Sequence, residues 1–288
     1  MLLALFKTMR PRQWTKNIFI FTALAFDRQL LLPRQFLHTL AGFGLLCLIS
    51  GAVYVMNDLV DLESDRLHPA KRNRPLPSGA LPRSVALAAA IILPALTLGL
   101  SVALNWKFAL VVLGYFLLNV AYTFRLKRAP ILDVFVIAAG FVLRMGAGVT
   151  LITVERFSPW MYVCMTLLAL FLGFGKRRAE LALLGNQAAH RQALAGYTLP
   201  LLDTFIIIIS ASTIMAYSLY TFSAENLPKN HLMMLTIPFV IYGLFRYLYL
   251  IHVKGEGGAP EELLLRDRPL LATVALWALT ALAFLYTG

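Results

Sequence analysis

The sequence predicts an all-α, polytopic membrane protein, a bundle of about nine transmembrane helices forming one domain over residues 1–288. Two observations predict it. Hydrophobic residues make up 59% of the chain and charged residues only 14%, a balance too apolar for a soluble domain of mixed surface and core. The apolar residues also gather in runs near the roughly 20 positions needed to cross a bilayer. Cys47 and Cys164 both lie inside such runs and read as small buried hydrophobes, with no disulfide or metal framework.

The spans follow in order. The start, "MLLALFKTMRPRQWTKN", has a short greasy opening followed by four basic residues, so no short signal peptide is expected there. The first membrane helix is therefore expected to serve as the insertion signal, and residues 1–16 to form a basic amphipathic helix on the membrane surface. Spans are expected at about 17–33, 36–57, 84–104, 107–124, 130–153, 159–175, 202–222, 231–251 and 269–287. Tight punctuation such as "NWK" and "RLKRAP" makes neighbouring spans antiparallel. Trp106 and Trp160 read as interface anchors, and Gly140, Gly146 and Gly148 as points of close helix approach. The Gly-rich segment 252–268 reads as a connector.

With the N-terminus cytoplasmic, the cytoplasmic segments carry 20 of the 26 Lys and Arg residues and the far side five: Arg28, Arg34, Lys107, Arg156 and Lys229. That asymmetry orients the chain by the positive-inside rule. It predicts a protein integral to the inner (plasma) membrane, with its C-terminus on the opposite side. The net charge of +12 is spread over five segments with no nucleic-acid-binding module, so a nucleic-acid partner is not expected. Anionic membrane lipid is.

Acids discriminate better, because Asp and Glu contribute little to topology. In "NDLVDLESDRLHPAKRNRPLPSG", residues 57–79, Asp58, Asp61, Glu63 and Asp65 crowd one helix end. On a continuous helix Asn57, Asp58, Asp61 and Asp65 share one stripe while Glu63 points elsewhere. Like charges at that spacing, near a helix C-terminus, destabilise the helix in isolation. A divalent cation reverses the sign, and hard oxygen ligands suit Mg²⁺ or Mn²⁺. The plainer reading is a solvated acidic loop paired with Lys71, Arg72 and Arg74.

"NDLVDLESD" resembles the N-D-x-x-D-x-x-x-D signature of the UbiA superfamily of intramembrane prenyltransferases, and "RPLPSG" matches the phrase that follows it there. The resemblance implies a UbiA-type bundle in which Asn57, Asp58, Asp61 and Asp65 hold Mg²⁺ on a diphosphate, with the three aspartates as catalytic candidates. Members that prenylate aromatic rings carry a second aspartate-rich motif after the sixth helix, where this chain has "FGKRRAELALLG". Lys176, Arg177 and Arg178 stand there instead, with Glu180 one turn away, and the cluster is expected to grip anions directly.

"MRPRQWTKN", "LKRAPILDVFVIAAGFVLRMGAG", "GKRRAEL" and "AGYT" further resemble the polyprenyl-phosphate phosphoribosyltransferase branch, over about residues 9–200. That implies transfer of a 5-phosphoribosyl group from phosphoribosyl diphosphate (PRPP) to a polyprenyl phosphate such as decaprenyl phosphate, in cell-envelope precursor synthesis. Arginine forks and lysine charges suit the phosphates, which makes Lys16, Arg66, Lys71, Arg72, Arg74, Lys127, Lys176, Arg177 and Arg178 candidate contacts. Asn17, Tyr122 and Glu180 complete the set, with Asp133 and Arg144. Charges inside an apolar helix face the bundle interior, and Arg144 fits a structural partner as well as a functional one. Competing functions are prenyl transfer to an aromatic acceptor and transport of an anionic lipid. The sequence is compatible with a homo-oligomer and does not specify one.

Overall fold

The computed structural model describes residues 1–69, 71–154, 158–184, 194 and 196–287. Arg156, Arg191 and Ala195, the last beginning "AGYT", fall outside the described residues. Within them all regular structure is helical: α1 (Leu2–Thr8), α2 (Phe21–Phe26), α3 (Pro33–Val60), α4 (Leu62–Leu67), α5 (Arg83–Leu104), α6 (Trp106–Phe124), α7 (Leu132–Val149), α8 (Pro159–Leu184), α9 (Leu199–Ser223), α10 (Ile237–His252), α11 (Pro260–Arg266) and α12 (Arg268–Thr287), with short 3-10 stretches between. Eight helical stretches of the described residues are long and apolar enough to cross a membrane: α3, α5 to α9, Leu232–His252 and α12.

The segment expected as the first span, residues 17–33, departs from a single long helix. Arg10 precedes Pro11, where the right-handed helical region is disfavoured, and adopts φ 53, so α1 stops. A 3-10 stretch follows from Pro11 to Ile20, and α2 adds six residues. Arg28 at φ 57 and an extended Leu32 before Pro33 end the segment. Hydropathy reports that the run is apolar; it does not report the local hydrogen-bond pattern or these breaks.

The chain divides into two compact units, residues 1–25, 29–126 and 143–154 in one, and 26–28, 127–142 and 155–288 in the other. In the first, α3 packs against α5 and α6 around Leu46, Ile49, Phe108 and Val112, and Met9, Val55, Leu76 and Leu81 form a second cluster near the acidic end of α3. A Cβ at Gly148 would fall on the carbonyl oxygen of Ile20, so that approach requires glycine. "NWK" is explained by Asn105, which caps α6 by accepting from the backbone N–H groups of Lys107 at 2.8 Å and Phe108 at 3.2 Å.

In the second unit α8 packs along α9 over a core that includes Phe171, Phe174, Leu202, Ile206 and Tyr247. Segment 252–268 is more than a connector, because it carries α11 with Leu263 buried in that core. Asp267 caps α12 by accepting from the Leu270 N–H at 2.9 Å, and Arg246 grips the same carboxylate with two nitrogens, at 3.1 and 2.8 Å. The guanidinium holds the Asp267 carboxyl below the usual carboxylate range.

Candidate active site

At the end of α3 the helical hydrogen bonds run on through Asp61. Its N–H donates to the Asn57 carbonyl at 2.9 Å and its carbonyl accepts from the Asp65 N–H at 2.8 Å. Its ψ of 6° nevertheless separates α3 from α4, so the expected continuous helix is bent at Asp61. Asp58 and Asp65 are 2% and 1% exposed, so they are not solvated, although the expected pairing with Lys71 and Arg74 is present, while Glu63 is exposed and pairs with Arg66 at 3.0 Å. Arg66 is therefore turned to a surface partner, and Arg72 is exposed as well.

The two buried carboxylates share one guanidinium. Arg74 Nη1 lies 3.2 Å from Asp58 Oδ1 and 2.6 Å from Asp65 Oδ2. Arg10 Nη2 reaches the same Asp58 oxygen at 2.5 Å, and Lys71 Nζ lies 3.2 Å from Asp65 Oδ1. Three cations thus surround two anions. The phrase "RPLPSG" explains how Arg74 is held: the Ser78 N–H donates to the Arg74 carbonyl at 3.0 Å, the Leu81 N–H to that of Pro75 at 2.8 Å, and buried Leu76 and Leu81 anchor the turn. Gly79 supplies the φ of 82° that closes it. Arg10 is fixed by its left-handed backbone and by stacking on the Tyr54 ring, 4.9 Å from its centroid.

Among the described residues no three carboxylates, imidazoles or thiols converge as a preformed metal cage. Asp58 and Asp65 do converge as a pair of hard oxygen donors. That pair fits Mg²⁺, which is commonly held by one or two carboxylates together with substrate phosphates. Asn57 accepts from the Thr123 hydroxyl, and Asp61 is half-buried between the two buried acids in sequence.

Seven residues back along α3 from Asn57, about 10 Å at helical rise, lies a second polar group. Arg144, 7% exposed, donates through Nε to Asn17 Oδ1 at 2.7 Å and through Nη2 to the Tyr115 hydroxyl at 2.7 Å. Ser50 sits 3.4 Å from the same Asn17 oxygen and 3.3 Å from the Tyr115 hydroxyl. The structure thus joins two candidates, Asn17 and Arg144, directly, with Tyr115 and Ser50 as further neutral partners. Lys16 and Tyr122 belong to the same unit and are half-buried.

In the other unit Asp133 is fully buried and accepts from Arg177 Nε and from the Tyr197 hydroxyl, each at 2.7 Å. Arg177 Nη1 also donates to Glu180 at 2.8 Å. Tyr197 in turn accepts from the Ile131 N–H at 2.5 Å, where Ile131 holds φ 69. Burial, and the Asp133 carboxylate beside it, push the Tyr197 phenol above its ordinary range. Arg178 donates to Asp203 at 2.5 Å, shared with His252 at 3.1 Å. The arginines expected to grip anions directly are therefore engaged with protein carboxylates. Lys176 is half-buried at the start of that group, and Lys127 lies in a 3-10 turn before α7.

Arg10, Tyr115, Thr123, Tyr197 and Asp203 were not among the sequence candidates. Arg10 carried a signal, since it lies in "MRPRQWTKN" beside a proline; the others are ordinary residues of apolar helices or turns, with partners far along the chain.

Among the described residues, eight membrane-length helices with buried, mutually paired charges define an integral membrane protein with a polar site at a helix end. The model of the UbiA prenyltransferase family matches residues 17–256. The decaprenyl-phosphate phosphoribosyltransferase of Corynebacterium glutamicum is 33% identical over 97% of this chain and 86% of that protein. The protein of the same description from Mycobacterium tuberculosis is 31% identical over 95% and 91%. Among solved structures, a UbiA homologue from Archaeoglobus fulgidus bound to GPP and Mg²⁺ superposes with a TM-score of 0.71, at 21% identity, covering 99% of this chain and 100% of that one. The chain belongs to the UbiA prenyltransferase family.

Proposed function

We propose that the protein transfers the 5-phosphoribosyl group of PRPP to the phosphate of a polyprenyl carrier, releasing diphosphate. The single observation that carries this reading is the identity of 31–33% over nearly the whole chain with the decaprenyl-phosphate phosphoribosyltransferases. The site chemistry is consistent with it, because the cations around Asp58 and Asp65 suit a ligand that carries a diphosphate, as PRPP does.

In the reaction the acceptor phosphate oxygen forms a bond to the anomeric carbon while the bond to the diphosphate oxygen breaks. The acceptor is already an anion near neutral pH, with a second pKa near 6, so no protein base is required. Asp58 and Asp65, flanked by Asn57 and Asp61, would hold a divalent cation, which supplies Lewis-acid stabilisation to the leaving diphosphate. Arg10, Lys71 and Arg74 supply positive charge close to where negative charge develops. The distribution of basic residues supports an active-site mouth on the cytoplasmic side, where a water-soluble sugar diphosphate would be met.

The test incubates detergent-purified protein with PRPP labelled in the ribose, Mg²⁺ and a panel of polyprenyl phosphates. Label is expected in extracted lipid with the wild type, and at least about 100-fold less with Asp65→Asn, the scale of losing one electrostatic contact to a developing charge. Folded wild type that leaves the lipid unlabelled removes the reading. Prenyl transfer would then come first, since the superposed Archaeoglobus fulgidus homologue is bound to GPP and Mg²⁺.

A further inference from the structure

We infer that Arg74, assisted by Arg10, is an exchangeable counter-ion, occupying the carboxylate pair until a diphosphate draws it away and the metal takes its place. The inference rests on the reading of Asp58 and Asp65 as metal-holding residues and names how that site is loaded.

The geometry shows one guanidinium nitrogen serving both acids. Arg74 places Nη1 on Asp58 and Asp65, and among the described residues its Nε and Nη2 meet no protein acceptor. Its side chain is 31% exposed, so those two nitrogens remain within reach of a ligand. Arg10 converges on the very oxygen of Asp58 that Arg74 uses, so two cations share one acceptor atom. An incoming anion gives one of them an acceptor of its own.

A divalent cation arriving alone must displace a cation already hydrogen-bonded to both acids, so its affinity for the free protein is depressed. A diphosphate reverses this, because it offers the guanidinium paired acceptors of matching geometry. Every charge stays paired through the exchange: the guanidinium moves from carboxylate to phosphate, and the metal moves onto the carboxylates. By linkage, each ligand then raises the affinity for the other by the same factor. Arg74 is on this account a positioning residue for both.

The test titrates Mn²⁺ into purified protein, with no phosphate present, and follows the electron paramagnetic resonance signal of the unbound ion. Arg74→Gln is expected to bind Mn²⁺ about tenfold more tightly than wild type, and Arg10→Gln to shift in the same direction by about threefold; thermal melts confirm that each is folded. Mn²⁺ binding no tighter than wild type in the folded variants overturns the exchange. If Arg74→Gln does not fold, Arg10→Gln decides alone. Asp65→Asn separates the two levels: it should weaken Mn²⁺ binding, and binding unchanged from wild type would remove the metal assignment itself, whatever the arginine variants do.

Discussion

Tyr115 offers a direct measure of what the buried network is worth. Its hydroxyl accepts from Arg144 Nη2 and is shared with Ser50, so Tyr115→Phe leaves a charged donor short of an acceptor where water is scarce. A loss of about 1–2 kcal/mol is expected, read as a lower unfolding midpoint in detergent; an unchanged midpoint would show that Arg144 needs no help from this hydroxyl. At this scale the sequence was legible wherever the reasoning was local. The stripe of Asp58 and Asp65 follows from helical periodicity, and both are buried on it. The partners were not legible, because Arg10 meets Asp58 across 48 positions and Asn17 meets Arg144 across 127. Spacing within one helix says nothing of such pairings. Arg177 shows both sides of this: Glu180, one turn away, was legible as its partner, whereas Asp133, 44 positions back, was not.

Among the elements, the long helices were legible from hydropathy and the segment Pro11–Phe26 was not. Its ten 3-10 residues and six α-helical ones have a summed length of about 29 Å at the usual rises, close to the roughly 30 Å of a hydrocarbon core. Sixteen α-helical residues would give about 24 Å. The orientation inferred from basic residues requires this segment to cross, placing residues 29–32 opposite residues 1–8. A cysteine introduced at exposed Leu31 should react with a membrane-impermeant maleimide from outside intact cells. Reaction only after permeabilisation would put both ends of the segment on one side and return the count of crossing elements to eight.

For the whole molecule, membrane class and helical content were written in composition, whereas the division into two units was not. The division falls inside α7, between Val142 and Leu143, one residue before Arg144 in a helix whose hydropathy alone gives no sign of a boundary. Ligand binding should register on the entire fold. A ligand that binds only the folded state stabilises it by about 2.7 kcal/mol at 100 times its dissociation constant. Inorganic diphosphate with Mg²⁺ should therefore raise the thermal midpoint, and chelation of the metal should reverse most of the gain. A midpoint indifferent to both would separate the protein from Mg²⁺-diphosphate chemistry.

The contact between Gly148 and Ile20 has a metrical consequence. Asn17 bonds to Arg144 and Ile20 lies on Gly148, so two rungs join the 3-10 stretch to α7, three residues apart on one rail and four on the other. Three residues at about 2.0 Å and four at about 1.5 Å both advance about 6 Å. The two rails share a common measure only while the first stays 3-10. Wound as an α-helix, it would advance about 4.5 Å between rungs, about 1.5 Å less than α7 does, and the Arg144 side chain would have to take up the difference. The unusual helix is thus kept in step by its neighbour, and a glycine with no side chain of its own helps to set the pitch of another segment.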